Sequence, residues 1–329
     1  MFAFILARIL QAVPVLLTVA AIAFALFAYV GDPVAQMLGQ DFTVEQRTAM
    51  IHALGLDQPI WVQYGRFIWA AVHGEFGLSF RLAKPVGTLI LERMPATMEL
   101  AFCAALLALV VGVPMGVYTG IKRNGGLARL FMILSLIGVS LPTFLIGILL
   151  ILVFAVLLGW LPSFGRGTLV TIGTWSTGLL TISGLKALVL PAITLGLFQM
   201  TLIMRLVRAE MLEVLRSDYI KFARARGLSE RAINFGHALK NTLVPVITVV
   251  GLQLGGLLAF SIVTETVFQW PGMGLLLVQS IAVADIPVMS TYLLLISVMF
   301  VTINLIVDLL YYAVDPRLRI NRRSLTGGR

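Results

Sequence analysis

Runs of apolar residues separated by short polar stretches dominate the chain, and six of these runs are long enough to cross a bilayer as helix. They fall near Ile9–Val30, Ala96–Gly120, Leu130–Leu158, Leu188–Leu206, Leu243–Phe268 and Thr291–Val314. A hydrocarbon layer of about 30 Å takes roughly twenty helical residues to span. A seventh stretch, Gly167–Ala187, is only modestly apolar and is interrupted by glycine, serine and threonine, so it reads as a loop or a re-entrant piece. The pattern predicts an all-α polytopic membrane protein with six transmembrane helices. The first run is too long for the apolar core of a signal peptide, and the small residues Ala23-Phe24-Ala25 that imitate a cleavage site lie inside it. A retained signal-anchor helix is expected there.

Composition agrees with the pattern. Of 329 residues, 59% are hydrophobic and 12% charged, and the mean hydropathy is +1.00. Soluble domains carry about a quarter charged residues, so lipid is the better solvent for this chain. The net charge of +9 would suit nucleic acid, but its distribution points elsewhere. With the N-terminus in the cytoplasm, inside segments hold seventeen basic residues and outside segments seven. That asymmetry is the positive-inside signal. It places both termini in the cytoplasm and removes the main argument for nucleic acid. The chain then divides into residues 1–30 (tail and first span), an external segment 31–95, a five-helix core 96–320 with a cytoplasmic loop 207–242, and a tail 321–329.

Chemistry-bearing residues are sparse. The single cysteine, Cys103, sits in an apolar run, and His52, His73 and His237 are scattered without metal-ligand spacing. No G-x-x-x-x-G-K-[ST] loop occurs, so the chain cannot cradle a nucleotide in that way. No serine elbow appears either, which leaves a membrane enzyme little support. Gly112 with Gly116, and Gly251 with Gly255 and Gly256, fit close helix packing in lipid. Gln199, Gln253 and Asn304 lie within spans, where polar groups are costly. Gln253 and Glu265 are candidates for lining a solute path; Gln199 and Asn304 more simply bond neighbouring helices. Glu265 has an alternative role in fixing the turn that follows it, and Asp308 one in pairing with a nearby arginine. In the external segment, residues 61–69 mix aromatic and polar residues at helical spacing. This suggests a short helix on the outer face that packs the end of the bundle.

The loop 207–242 is the most informative. Asp218 is a candidate N-cap, Gly227 a left-handed stop, and Ser229 a second N-cap with Glu230 in the next first turn. The result is two short amphipathic helices joined by a Gly-Leu-Ser turn. Ala223 and Ala225 keep the first helix slim, while Tyr219, Phe222, Ile233 and Phe235 offer apolar contacts. Such a protrusion suits a partner's groove; the alternative is a basic loop that only fixes orientation.

Tyr219-Ile220-x-x-Ala223-Arg224-Ala225-x-Gly227-Leu228-Ser229, followed by His237-Ala238-Leu239-x-Asn241 and Pro245, resembles the cytoplasmic "EAA" loop of binding-protein-dependent ABC permeases, in its dipeptide/oligopeptide/nickel branch. Lys221 stands where the eponymous acid is usual. Further matches run in order along the chain: Gly31-Asp32-Pro33, Leu54-Gly55-Leu56-Asp57-Gln58-Pro59, Gly74-Glu75-Phe76-Gly77-Leu78-Ser79, the stretch Glu265 to Gly274 with Phe268, Trp270, Pro271 and Gly272 as an external motif, Asp308-Leu309-Leu310-Tyr311, and Asp315-Pro316-Arg317.

The resemblance implies a type I ABC importer (MetI-like) permease fold in the bacterial inner membrane. It implies a non-catalytic subunit that couples ATPase closure to alternating access for di- or oligopeptides. Nickel, glutathione or opine are alternative solutes. It also implies that Asp218, Tyr219, Ala223, Arg224, Ala225, Gly227, Leu228, Ser229 and His237 form the ATPase-coupling element. The partners it implies are a second homologous permease, two ABC ATPases that hold the ATP and Mg, an external solute-binding protein, and lipid. No cofactor is expected in the chain itself. A competing class, an ATP-independent secondary transporter or channel, fits six spans with a long docking loop less well.

Overall fold

The computed structural model describes residues 2–29, Val34, Leu38 and 42–314. The Gly31-Asp32-Pro33 and Asp315-Pro316-Arg317 motifs and the tail 321–329 lie outside them. The chain forms two compact units. The first comprises residues 1–97, 171–177 and 271–301; the second comprises 98–170, 178–270 and 302–329. The chain passes between them five times, twice within long helices, at 97/98 and 301/302.

In the first unit, α1 (Phe2–Tyr29) is followed by α2 (Val44–Leu54) and α3 (Ile60–Val72). Thr43 and Gln46 cap α2 reciprocally, side chain to backbone in both directions, which satisfies amides the helix start leaves open. The aromatic-polar stretch at 61–69 is indeed helical, inside α3. The Tyr64 hydroxyl donates to the Leu17 carbonyl at 2.8 Å, and Phe24 meets the Tyr64 and Phe67 rings at 5.6 and 5.8 Å. One aromatic face of α3 therefore packs on α1, while Trp61 and Trp69 stay exposed. The same unit holds the start of α4 (Val86–Ile121), a short apolar helix α10 (Met273–Ala282), and the start of α11 (Ile286–Val314). The buried Asp285 carboxylate accepts from the Ser79 hydroxyl and from the Phe80 amide at 3.2 Å. It thereby pins the 77–85 turn to the start of α11.

The second unit is a helical bundle: the rest of α4, then α5 (Gly126–Ser140), α6 (Thr143–Leu150, continued as π-helix to Leu157), α7 (Ile182–Arg216), α8 (Asp218–Ala225), a π-helical turn Ala232–Ala238 leading into α9 (Leu239–Val267), and the end of α11. Among the described residues, four helices are each long and apolar enough to cross a membrane, and six spans result if each of two bent pairs counts as one. The helices α4, α7 and α11 begin before the apolar runs that announced them. Hydropathy reads the lipid-compatible window, whereas a helix continues through polar residues such as Glu92 and Arg93. The run Leu130–Leu158 is not one continuous helix: it falls on two helices bent by 112°, which count as one broken span in the six-span arrangement. Pro142 lacks an amide and disfavours helical geometry before it, and Leu141 accordingly turns extended at φ −97°, ψ 138°. Residues 167–181 form a loop bearing a two-stranded hairpin, β1 (Val170–Ile172) and β2 (Trp175–Thr177), of which 171–177 fall in the first unit, and residues 182–187 already belong to α7.

Small residues set the closest packing. A Cβ added at Gly116 would lie 2.6 Å from Val207 Cβ and 2.7 Å from the Met204 carbonyl oxygen, and one at Gly120 would lie 2.7 Å from Met211 Cβ. Gly112 makes the same kind of approach to Met200, so Gly112, Gly116 and Gly120, spaced four apart, are seats on α4 for α7. Gly251 packs onto Val307 of α11, whereas a Cβ at Gly256 would meet only Gln253 Oε1, at 4.0 Å. A methyl group at Gly116 must push backbone apart, at a cost of about 1–3 kcal/mol. Gly116→Ala should lower the thermal midpoint of the detergent-purified protein, and Gly126→Ala, where nothing lies within 4 Å, should not.

Candidate functional site

At one end of the second unit, α8 and the 230–238 helix fold back as a hairpin between α7 and α9. Ser217, in extended conformation at φ −66° and ψ 154°, precedes α8 as its cap residue. This corrects the assignment of Asp218, which lies instead in the first turn, where its charge favours the helix N-terminus and it pairs with Lys221 at 2.8 Å. Gly227 has φ +80°, the left-handed geometry that side chains resist. The Leu228 and Gly227 amides donate back to the Ala223 and Arg224 carbonyls at 3.3 and 2.9 Å, closing the helix as a glycine cap does. Ser229 takes up its expected role: its hydroxyl accepts from the Ala232 amide at 3.3 Å.

Two side-chain links rigidify the hairpin. Arg224 clamps Glu230 across the turn with Nε–Oε1 2.8 Å and Nη2–Oε2 3.2 Å. Hydrogen bonds from Arg224 hold the Glu230 carboxyl below its ordinary range, so both partners are charged at neutral pH. At the base, the Asn241 side-chain amide donates to the Tyr219 hydroxyl at 2.7 Å and to the His237 carbonyl at 3.0 Å. Thus His237 contributes its backbone to this link.

Burial divides the hairpin into two faces. Ile220, Ala223, Ile233 and Ala238 are buried in one cluster with Ala108, Val117, Ile203, Val207, Met211, Val246 and Val250. The small size of Ala223 and the apolar contact of Ile233 therefore serve packing within the chain. Ala225, Tyr219, Leu228, Phe222 (64% exposed) and Phe235 (55%) remain on the open face.

At the opposite end of the unit, Arg166 reaches Glu99 at 2.5 Å, with each side chain only 4% exposed. The guanidinium also lies 5.8 Å from the centroid of the Trp270 ring. The Gly165 amide donates to the Phe268 carbonyl at 3.0 Å, and the Trp270 amide to the Glu265 carbonyl at 2.8 Å. Phe268 and Trp270 are almost fully buried. The Glu265 side chain is fully buried and accepts from the Ser261 hydroxyl at 3.2 Å. It sits in packed interior and its backbone carbonyl fixes the turn, the second of the two roles considered for it. Pro271 and Gly272 fall in the first unit, where Gly272 precedes α10 and the Met273 amide donates to Thr97 Oγ1 at 2.8 Å. Gln253 is half-buried, within α9 between the segments 232–251 and 255–267, which meet at 56°. Gln199 is buried in α7, and the Oδ1 of Asn304 is buried with no hydrogen-bond partner among the described residues. The Glu99–Arg166 pair was not anticipated. A lone acid inside the apolar run Ala96–Gly120 was the available signal, since intramembrane carboxylates demand a partner.

Among the described residues no three histidine, cysteine, aspartate or glutamate side chains gather as a metal site. Residues 112–320 match the family described as "Binding-protein-dependent transport system inner membrane component", and residues 1–101 match its N-terminal part. The chain is 39% identical to the dipeptide transport system permease protein DppB of Alkalihalophilus pseudofirmus, over 97% of this chain and all of that protein. It is 38% identical to DppB of Escherichia coli K12, over 97% and 99%. A putative peptide transport system permease protein of Brucella abortus is 41% identical over 97% and 99%. Among solved structures, a chain of the MetNI methionine ABC transporter in inward-facing conformations shares the fold. It has a TM-score of 0.56 and 22% identity over 69% of this chain and 96% of that one.

Removing one member of the buried pair strands a buried charge without its partner, at about 3–5 kcal/mol. Arg166→Met should therefore lower the thermal midpoint sharply, and adding Glu99→Leu should recover most of the loss. An equal or deeper loss in the double variant would show that the pair is not what fixes this end.

Proposed function

The chain belongs to the family of binding-protein-dependent transport system inner membrane components, and from that premise we propose that it takes peptides across the membrane in an ATP-driven importer. As a family member it is a non-catalytic, multi-pass inner-membrane subunit of an ABC transporter, served by ATPase and binding-protein partners. The peptide assignment is supported by relatives named for dipeptide or peptide transport that align over nearly the full length.

The observation that carries the mechanism is the two-faced hairpin. Its inner face is locked into the bundle, and its outer face leaves Tyr219, Phe222 and Leu228 uncovered. We read that outer face as seated in a groove on an ATPase subunit, with Gly227 and the Arg224–Glu230 clamp fixing its shape. Closure of two ATPases, which hold the ATP and Mg, then displaces the hairpin, and the locked inner face transmits the displacement to α4, α7 and α9. Both termini and the hairpin face the cytoplasm in this arrangement, in keeping with the basic residues clustered there. A second, homologous permease completes the passage, and a solute-binding protein delivers at the opposite end. Gln253, beside the bend of α9, lines the route.

Phe222→Asp alters only the exposed face. It should leave the thermal midpoint of the permease unchanged while abolishing ATPase co-purification and ATP-dependent peptide uptake into proteoliposomes. Full uptake would remove the hairpin from the coupling role. Gln253→Leu should reduce uptake at low peptide concentration by about tenfold if one hydrogen bond to solute is lost. Unchanged uptake in an assembled complex would take Gln253 off the route.

A further inference from the structure

A groove of about 670 Å³ opens between α4 and the second helix of the hairpin. On α4 its apolar wall is Val113, Val117 and Ile121, and on the other side Phe235 and Leu239. These positions recur at helical spacing, so each wall is one continuous helix face. From Val113 to Lys122 is nine residues, about 13 Å of helix rise. That is close to half of a hydrocarbon layer about 30 Å thick, the depth of one leaflet.

The hairpin end of the groove is polar and basic. Lys122, just beyond the end of α4, and Arg231, at the start of the second hairpin helix, line it together with Tyr118 and Asn234. Both basic residues are exposed, and no acidic side chain among the described residues lines the groove. Lys122 Nζ lies 6.0 Å from the centre of the Tyr118 ring. Two cations and two hydrogen-bonding groups at the mouth of a leaflet-deep apolar slot match a phosphate-bearing headgroup with acyl chains beneath it. Basic pockets between spans on the cytoplasmic side take such headgroups.

We propose that this groove binds an anionic glycerophospholipid of the inner leaflet, phosphate between Lys122 and Arg231 and one acyl chain along α4. A lipid held there touches the hairpin helix directly, so the bilayer's anionic content bears on the element read above as the coupling device. The placement of the headgroup rests on that reading, because it puts the hairpin on the cytoplasmic side.

The full chain, purified with the subunits that accompany it, is reconstituted into phosphatidylcholine nanodiscs doped with phosphatidylglycerol, released, and examined by native mass spectrometry. Wild type should retain one phosphatidylglycerol in preference to phosphatidylcholine, and excess inorganic phosphate should not displace it. Each basic group near the surface contributes about fivefold, so Lys122→Gln/Arg231→Gln should weaken retention about thirtyfold. Arg123→Gln/Arg129→Gln, equal in charge change but outside the groove, should retain the lipid. Equal loss in that control would reduce the effect to general surface charge and overturn the site. Displacement by phosphate, or retention undiminished in the groove variant, would overturn it as well. So would a groove that phosphatidylglycerol enters only when no ATPase is attached, since its occupant would then be protein. Retention is read without nucleotide or solute, so its failure leaves the coupling role standing. Loss of coupling in Phe222→Asp would likewise leave lipid retention unchanged. All variants are compared by thermal midpoint, and Lys122→Gln alone serves if the double variant does not fold.

Discussion

Ile220 and Ile233 have no exposed surface, and their burial among the ends of α4, α7 and α9 is the joint on which the rest of the molecule turns. Two short helices with so few residues have little stability alone. They hold their shape because the apolar cluster that includes Val117, Val207, Met211 and Val250 continues into them without a seam. Packed interiors are stiff and transmit displacement. A push on the exposed face therefore reaches three membrane-spanning helices at once, and the hairpin cannot swing like a loop. The same burial explains the alanines: Ala223 is small because a larger side chain would lift α8 off its seat.

The opposite end is held by different physics. Gly165, Arg166, Phe268 and Trp270 form a cap of backbone hydrogen bonds and one buried ion pair to Glu99. Such a pair adds little net stability compared with an apolar replacement, yet it tolerates one geometry only. An apolar cap would slide; a charged one registers. The first unit has its own register point, the Asp285 carboxylate receiving the Ser79 hydroxyl and the Phe80 amide.

Much of this was legible from residue order, and the rest was hidden for identifiable reasons. Apolar runs located the helices because lipid imposes a length. They could not show that Pro142 breaks the third run, since the bend depends on how two helices pack afterwards. Gly227 and Ser229 announced their roles because caps are local chemistry. Asp218 misled by one position because both Ser217 and Asp218 are good cap residues, and the end of α7 decided between them. The Glu99–Arg166 pair spans 67 positions of sequence, beyond any local rule, although a solitary acid in an apolar run asked for a partner. Ile233 and Phe235 read alike as apolar contacts; only the fold turns one inward and leaves the other open.

The helix α9 joins the two ends, running from the hairpin base to the Trp270 turn. A straight helix would be the cheapest way to cross hydrocarbon, because every backbone group then finds its partner. Instead its two halves meet at 56° near Gly251 and Gly255, with Gly251 seated against Val307. Bending stretches hydrogen bonds on the convex side, and lipid offers nothing in exchange. Such a bend persists where protein or water covers the loosened backbone, which is also where a polar Gln253 side chain is least costly. A helix anchored firmly at both ends and compliant at its middle has few ways to respond to a push at the hairpin. Under the coupling proposed above, the angle at the bend is what would change, with the packed seats at either end moving as rigid pieces. That is the behaviour expected of a two-state passage, and it ties the position of Gln253 to the position of the hairpin through one continuous backbone.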